Sequence, residues 1–497
     1  MGIIQKQGSI STLFNYAGVG IAYVNLIFIL PHFLSLEQIG LLRVIIEIAT
    51  LLMLVFQFGS PYLIIRFFPR YADSDRNQRS FYTLALVFSF FGILMMLLFY
   101  QTFRHSIMDY FSEKSASISD YETAFLAISG ALVLFNVFER IFGSKKIVVI
   151  PTFLKELVYR AGLSVITILF GLQVLTFSQG VNLWVGFYAL APIILFLLYK
   201  KKFGLKFSFS PDVWNSRNLK SYTGYAAIVS LGAIGGGLSL KIDMLMTASM
   251  LGLKELSIYA TMVYVATVIE IPKRALVQIS DPFISEFYTE GRMDKIGDLY
   301  KKNSVILLVM GLLLFLGIYF NLPYLFEIMP KGESFALGMN VFIIIALVKI
   351  MSLLSGITNQ ILLNSVEAWV SSVTIIILAF MSIGLNFYFI PRYGLEGAAL
   401  ATLLSVGTNH LLTMLYVYLK FNIHPFCKEI WILFLVVALF IVLGSFIPKI
   451  PNPYLGLLVT SAAIGISYTF IIWKLNISAD ANKMIVQVLE KVKKRFS

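Results

Sequence analysis

Charge is scarce in this chain. Only 13% of its 497 residues are Asp, Glu, Lys or Arg, about half the quarter usual for soluble globular proteins, so a solvated globular fold is excluded. Cysteine is nearly absent: Cys427 stands alone, and no intrachain disulfide can form. The four histidines, His32, His105, His410 and His424, show no metal-ligand spacing. There is no Gly-rich phosphate loop, and no loop outside the apolar runs clusters carboxylates as glycosyl transfer would need. The expectation is a protein that is not an enzyme, with no catalytic residue, no metal and no cofactor. Long polar stretches are missing too, which leaves no room for a large extramembrane domain.

What is present is apolar. The composition is 58% hydrophobic and 15% aromatic, with mean hydropathy +0.84, and it predicts an all-α polytopic membrane protein. Apolar runs of about 20 residues predict about 14 transmembrane helices, centred from Gly20 to Ile464. The run 10–34 is too long for a signal-peptide core and lacks a small-residue cleavage site, so it is expected to remain as the first helix. A net charge of +13 would suggest nucleic acid in a soluble domain, but lysine- and arginine-rich cytoplasmic loops account for it here. Arg70, Arg76, Arg79, Lys145, Lys146, Lys200, Lys201, Lys202 and Lys420 fall on one side. The other side holds only Arg104, Lys114, Lys254, Lys331, Arg392 and Lys449. This bias places both termini in the cytoplasm.

The chain looks duplicated. Residues 34–42, LSLEQIGLL, align with residues 251–259, LGLKELSIY, at a shift of about 217 residues, each turn flanked by apolar helices. The basic connection 200–220 is the natural boundary. Six helices precede it, so the second half re-enters from the same side and the repeat is parallel. The expected organisation is an N-terminal bundle over 1–205, a pseudo-symmetric C-terminal bundle over 206–425 and two appended helices over 426–475. A basic amphipathic tail is expected over 476–497, spacing Met484, Val488, Val492 and Phe496 on one face.

Ionisable residues inside apolar spans are costly and mark function. Arg43, Arg66, Arg140, Lys155, Arg160, Lys241, Lys273, Arg274 and Lys349 lie within or at the ends of spans, together with Glu47, Glu139, Glu156, Asp243 and Glu270. Arg43 and Glu47, and Glu156 and Arg160, are four apart and can pair along a helix face. Arg66, Glu139, Arg140, Lys273 and Arg274 are placed where snorkelling to headgroups is an equal alternative. Glu47, Glu156, Arg160, Glu270 and Lys349 are too deep for that and are expected to face a hydrated cavity. Cations outnumber anions, so such a cavity would attract an anion. His410, mid-span, reads first as a hydrogen-bonded interior histidine.

Over nearly its whole length the chain resembles the polysaccharide-unit (Wzx-type) flippases of the multidrug/oligosaccharidyl-lipid/polysaccharide (MOP) exporter superfamily, which includes the MATE-like transporters, and particular segments carry the likeness. The segments are Leu36-Glu-Gln-Ile-Gly40, Arg66 at the end of the second helix, Pro151 with the charged face of the fifth, the hairpin 241–259, and Tyr393-Gly-Leu-Glu-Gly-Ala-Ala399. The resemblance implies two bundles in a V and alternating-access export of a lipid-linked sugar unit across the bacterial inner membrane, for surface polysaccharide or O-antigen (lipopolysaccharide) assembly. The expected partners are a lipid-linked oligosaccharide, membrane lipids and other polysaccharide-assembly proteins, with no nucleic acid. On this reading Arg43, Arg66, Lys155, Arg160, Lys241 and Lys349 bind the substrate diphosphate, and Glu47, Glu156, Asp243 and Glu270 hold those cations or couple ions. The alternative is a cation-coupled multidrug exporter of the MATE type.

Overall fold

Helix breaks, more than helix lengths, shape this molecule. The computed structural model describes residues 2–71, 73–204, 207–239, 241–446, 448–477 and 482, and among them every regular element is a helix. Among these described residues nine helices are long and apolar enough to cross a membrane, and ten if Ser216–Leu238 and Ile242–Met250, bent by 49°, form one span. Other spans are interrupted for local reasons. Gly59, at φ 63°, separates Leu36–Phe56 from Ser60–Phe67, a left-handed conformation that glycine adopts without the usual Cβ penalty. Gly394 (φ 56°, ψ −130°) kinks Ala368–Phe421 just after Pro391, so that this stretch joins two helices. The helices are consistent with the expected number of about 14. The amphipathic tail expected over 476–497 lies almost wholly outside the described residues.

The chain forms two compact units, Met1–Ser257 and Ile258–Ser497. The first runs past the basic connection at 200–220, where the sequence repeat suggests a boundary, and the connection and the helix after it are tied to this unit. Ser210 N–H donates to Ser80 Oγ at 2.8 Å, Asn77 donates to Asp212 at 3.1 Å, and the Tyr71 and Tyr222 hydroxyls meet at 2.5 Å. Around these bonds Phe67, Phe81, Tyr82, Phe138, Phe142, Tyr199 and Tyr222 form an aromatic core.

The two turns that align in sequence, in 34–42 and 251–259, also meet within this unit. Ser35 caps the Leu36–Phe56 helix through a reciprocal capping box with Gln38. At the equivalent position Gly252 (φ 119°) precedes Leu253–Thr267. A Cβ on Gly40 would lie 1.9 Å from the Leu253 carbonyl oxygen, so the two copies touch backbone to backbone.

In the second unit, Ile284, Ile296, Tyr300, Ile357, Ile361, Leu362 and Val417 form a core, with Tyr300 and Thr358 hydroxyls 2.5 Å apart. The two last helices join this unit through Met293–Ile328. Gly456 faces the Tyr324 ring, Gly444 faces Phe320, and the Tyr468 hydroxyl donates to the Val309 carbonyl at 3.1 Å.

Candidate functional site

The membrane-embedded charges gather into polar clusters, two in the first unit and one in the second. In the first, Glu47 projects from the buried face of Leu36–Phe56 with only 3% of its side chain exposed, and it accepts from Lys241. Lys241 can reach it because the chain breaks there: it is the residue preceding Ile242–Met250, outside helical geometry at φ −127°. Asp243 is buried in the first turn of that helix, where a carboxylate is favoured by the amide dipoles, and accepts from Met244 N–H at 2.8 Å. Spacing suggested that Glu47 could pair along its own helix with Arg43. The structure also supplies Glu47 with a cation from a distant segment, Lys241, and Arg43 is engaged as well.

The second cluster is built on two π-helical turns, Asn25–Ile29 and Leu154–Val158. An extra residue per turn frees backbone groups and shifts the side-chain register, and such turns recur at functional sites. Glu156 and Arg160 pair at 2.7 Å, as their spacing predicts. The Arg160 carbonyl accepts from Asn25 Nδ2 at 2.9 Å, and Ser164 donates to Asn25 Oδ1 at 2.6 Å. A Cβ on Gly18 would sit 2.6 Å from the Glu156 carbonyl oxygen, so the first helix lies directly against the π turn. Lys155 is half exposed and lies 3.7 Å from Glu139. Arg66 is exposed at the end of Ser60–Phe67.

In the second unit, the 3-10 turn Val268–Glu270 interrupts a span just before Pro272. Glu270 sits at this break, accepting from Lys349 at 3.0 Å and from the Ser352 hydroxyl. Lys273 donates to the Ser352 carbonyl at 2.7 Å and lies 2.8 Å from its hydroxyl. It is therefore drawn inward rather than snorkelling. His410 shares the neighbourhood, acted on by the charges of Lys273, Glu270 and Lys349. Two ammonium groups thus converge on one carboxylate, and this cluster keeps a surplus positive charge.

Pairing is the common theme: Arg160, Lys241 and Lys349 each have a carboxylate partner. Sequence reasoning did not single out Asn25, Ser164 and Ser352. A signal existed for Ser352, three residues after Lys349 and so on the same helix face. The register change behind Asn25 is tertiary and has no sequence signature.

A family model described as polysaccharide biosynthesis protein matches residues 4–288, more than half of the chain. The chain belongs to this family. A search of curated proteins found no match. Among solved structures, this family member is similar in fold to lipid II flippase MurJ in an inward closed conformation. The TM-score is 0.72 at 12% identity, covering 94% of this chain and 99% of that one. It is also similar to an inward-facing multidrug resistance MATE transporter of the MOP superfamily (TM-score 0.64, 13% identity, 83% and 94% covered). A third match is a MOP superfamily transporter from Pyrococcus furiosus described as having reverse polarity of its binding pocket (TM-score 0.52, 15% identity, 84% and 94% covered). The chain is thus a polysaccharide biosynthesis family member with many helices able to cross a membrane, and it shares its fold with these membrane transporters.

Proposed function

We propose that the protein flips an undecaprenyl-diphosphate-linked oligosaccharide across the bacterial inner membrane by alternating access, supplying surface polysaccharide or O-antigen assembly. The observation that carries the reading is the match of residues 4–288 to a polysaccharide biosynthesis family. Charge adds support. Lys273 and Lys349 share the single carboxylate of Glu270, which suits a polyanionic passenger better than a cationic drug. Arg43, Arg160, Lys241 and Lys349 draw the diphosphate, with the exposed Arg66 and Lys155 engaging it on entry. Glu47, Glu156, Asp243 and Glu270 hold these cations ready or carry coupling protons. The cytoplasmic side is the one rich in Lys and Arg.

The test is surface glycan in cells carrying Arg160→Gln and Lys349→Gln at wild-type protein levels. Loss of charge-assisted bonds to the diphosphate is expected to cut glycan roughly tenfold or more, with the lipid-linked unit accumulating unflipped. Unchanged glycan in the double variant removes the role of these cations. Likeness in fold to MATE transporters favours a second reading, cation-coupled drug export. Against it, Glu47, Glu156 and Glu270 already hold cations of this chain. Uptake of a cationic dye driven by a proton or sodium gradient in vesicles would establish that reading instead.

A further inference from the structure

The first unit carries an apolar groove that plays no part in the charged clusters. It is a cavity of about 870 Å³ walled by the helices Asp75–Ser112, Glu122–Ser144 and Phe177–Phe203, with Phe207 of the basic connection at one end. It is open rather than sealed: Phe90, Ile193 and Phe207 are each more than half exposed. Phe207 is held there by its own segment, since Ser208 N–H donates to Thr83 Oγ1 at 3.3 Å and Ser210 N–H to Ser80 Oγ.

The groove's charge is ordered. On each of the three helices, the face that lines the groove runs on to a basic residue at the same end. In the first helix Arg79 lies on the face of Leu86, Phe90, Ile93 and Leu97. In the second Lys145, the residue ending the helix, comes after Leu134 and Phe138. In the third Lys200 comes after Ile193 and Phe196. The intervals of four, seven and eleven residues are those that keep side chains on one helical face.

The three basic residues also lie close to shared neighbours. The Arg79 charge acts on Tyr199, next to Lys200, and the Lys145 ammonium lies 5.9 Å from the centre of the Phe203 ring. Lys145 donates to the neutral Gln78, and among the described residues none of the three is ion-paired. Along the helices the lining measures roughly 16 Å over 86–97 and roughly 22 Å over 123–138 at 1.5 Å per residue. On the second helix the lining thus starts at the end opposite Lys145, and the trough extends from there toward the basic end.

We propose that this groove is a binding site for one anionic glycerophospholipid of the leaflet on the basic side. Its acyl chains lie in the trough and its phosphate is held by Arg79, Lys145 and Lys200. Three cations at the basic end of an apolar trough match a phosphate-headed lipid, and the site would be filled throughout transport. It does not depend on the identity of the passenger.

The test is native mass spectrometry of the detergent-purified full chain, offered phosphatidylglycerol and phosphatidylcholine of equal chain length. The wild type is expected to retain phosphatidylglycerol about tenfold better, given three cations near one anionic headgroup. The variant R79Q/K145Q/K200Q is expected to lose that preference, and R79K/K145R/K200R to keep it, which separates charge from folding. A Cβ on Gly130 would meet only Ile93, at 3.9 Å, so Gly130→Phe fills the trough rather than striking backbone. It is expected to reduce retention of both lipids, as is the milder Ala127→Leu. Equal retention of the two lipids by the wild type, undiminished phosphatidylglycerol on the glutamine variant, or its displacement by equimolar undecaprenyl phosphate would each overturn the proposal.

Discussion

Glu47 is the most demanding residue of the chain, a carboxylate almost sealed from its surroundings that depends on the ammonium of Lys241. Removing one member of a buried pair leaves the other uncompensated and costs about 3–5 kcal/mol, whereas replacing both by apolar groups can be neutral or stabilising. Glu47→Gln is therefore expected to lower thermal stability in detergent by that order, and Glu47→Leu with Lys241→Met to restore most of it. If transport stays lost in the double variant, the pair serves function beyond holding the fold.

Glu367, just before the Ala368–Phe421 span, provides a test by pH. The Lys420 ammonium and the Tyr416 hydroxyl, with a smaller part from Trp369, hold its carboxyl below the ordinary value of 4.5. A depressed carboxylate stabilises above its unfolded pKa and stops doing so as pH falls through the lowered folded value. Acid unfolding of the wild type should include this component and that of Glu367→Gln should not, as melting curves between neutral pH and pH 3 would show.

At the scale of elements, the breaks are where substitutions act most strongly. Gly394 combines φ 56° with ψ −130°, a region closed to residues with a Cβ. Gly394→Ala is expected to cost about 1–3 kcal/mol, read as a lower melting temperature. The shared turns of the repeat set a second limit. Gly40→Ala would drive a Cβ against the Leu253 carbonyl, backbone that cannot rotate away, so about 1–3 kcal/mol of overpacking is expected. Gly20→Ala, in a helix with open space at that position, is the matched control and should leave the melting temperature unchanged.

For the whole molecule, the orientation inferred from loop charge can be checked with a natural label. Cys427 is the single cysteine and lies at the basic end of Lys428–Gly444. It is half-buried, and burial, with the Glu429 carboxylate beside it, pushes its thiol above the ordinary value, so labelling calls for alkaline buffer. A membrane-impermeant maleimide is expected to spare it in intact cells and to label it in inside-out vesicles. The reverse pattern would invert the assigned topology.

Much of this architecture was legible in the residues. Low charge and runs of about 20 apolar residues admit only membrane helices, and the spacing of Glu156 and Arg160 foretold their pairing. Those are properties of single segments, which the chain determines by itself. That Lys241 meets Glu47, that Lys273 joins Lys349 at Glu270, and that Asn25 bonds to Arg160 and Ser164 were decided by tertiary structure. Each depends on a helix break bringing distant segments within a few ångströms, and a buried charge takes whichever partner packing delivers.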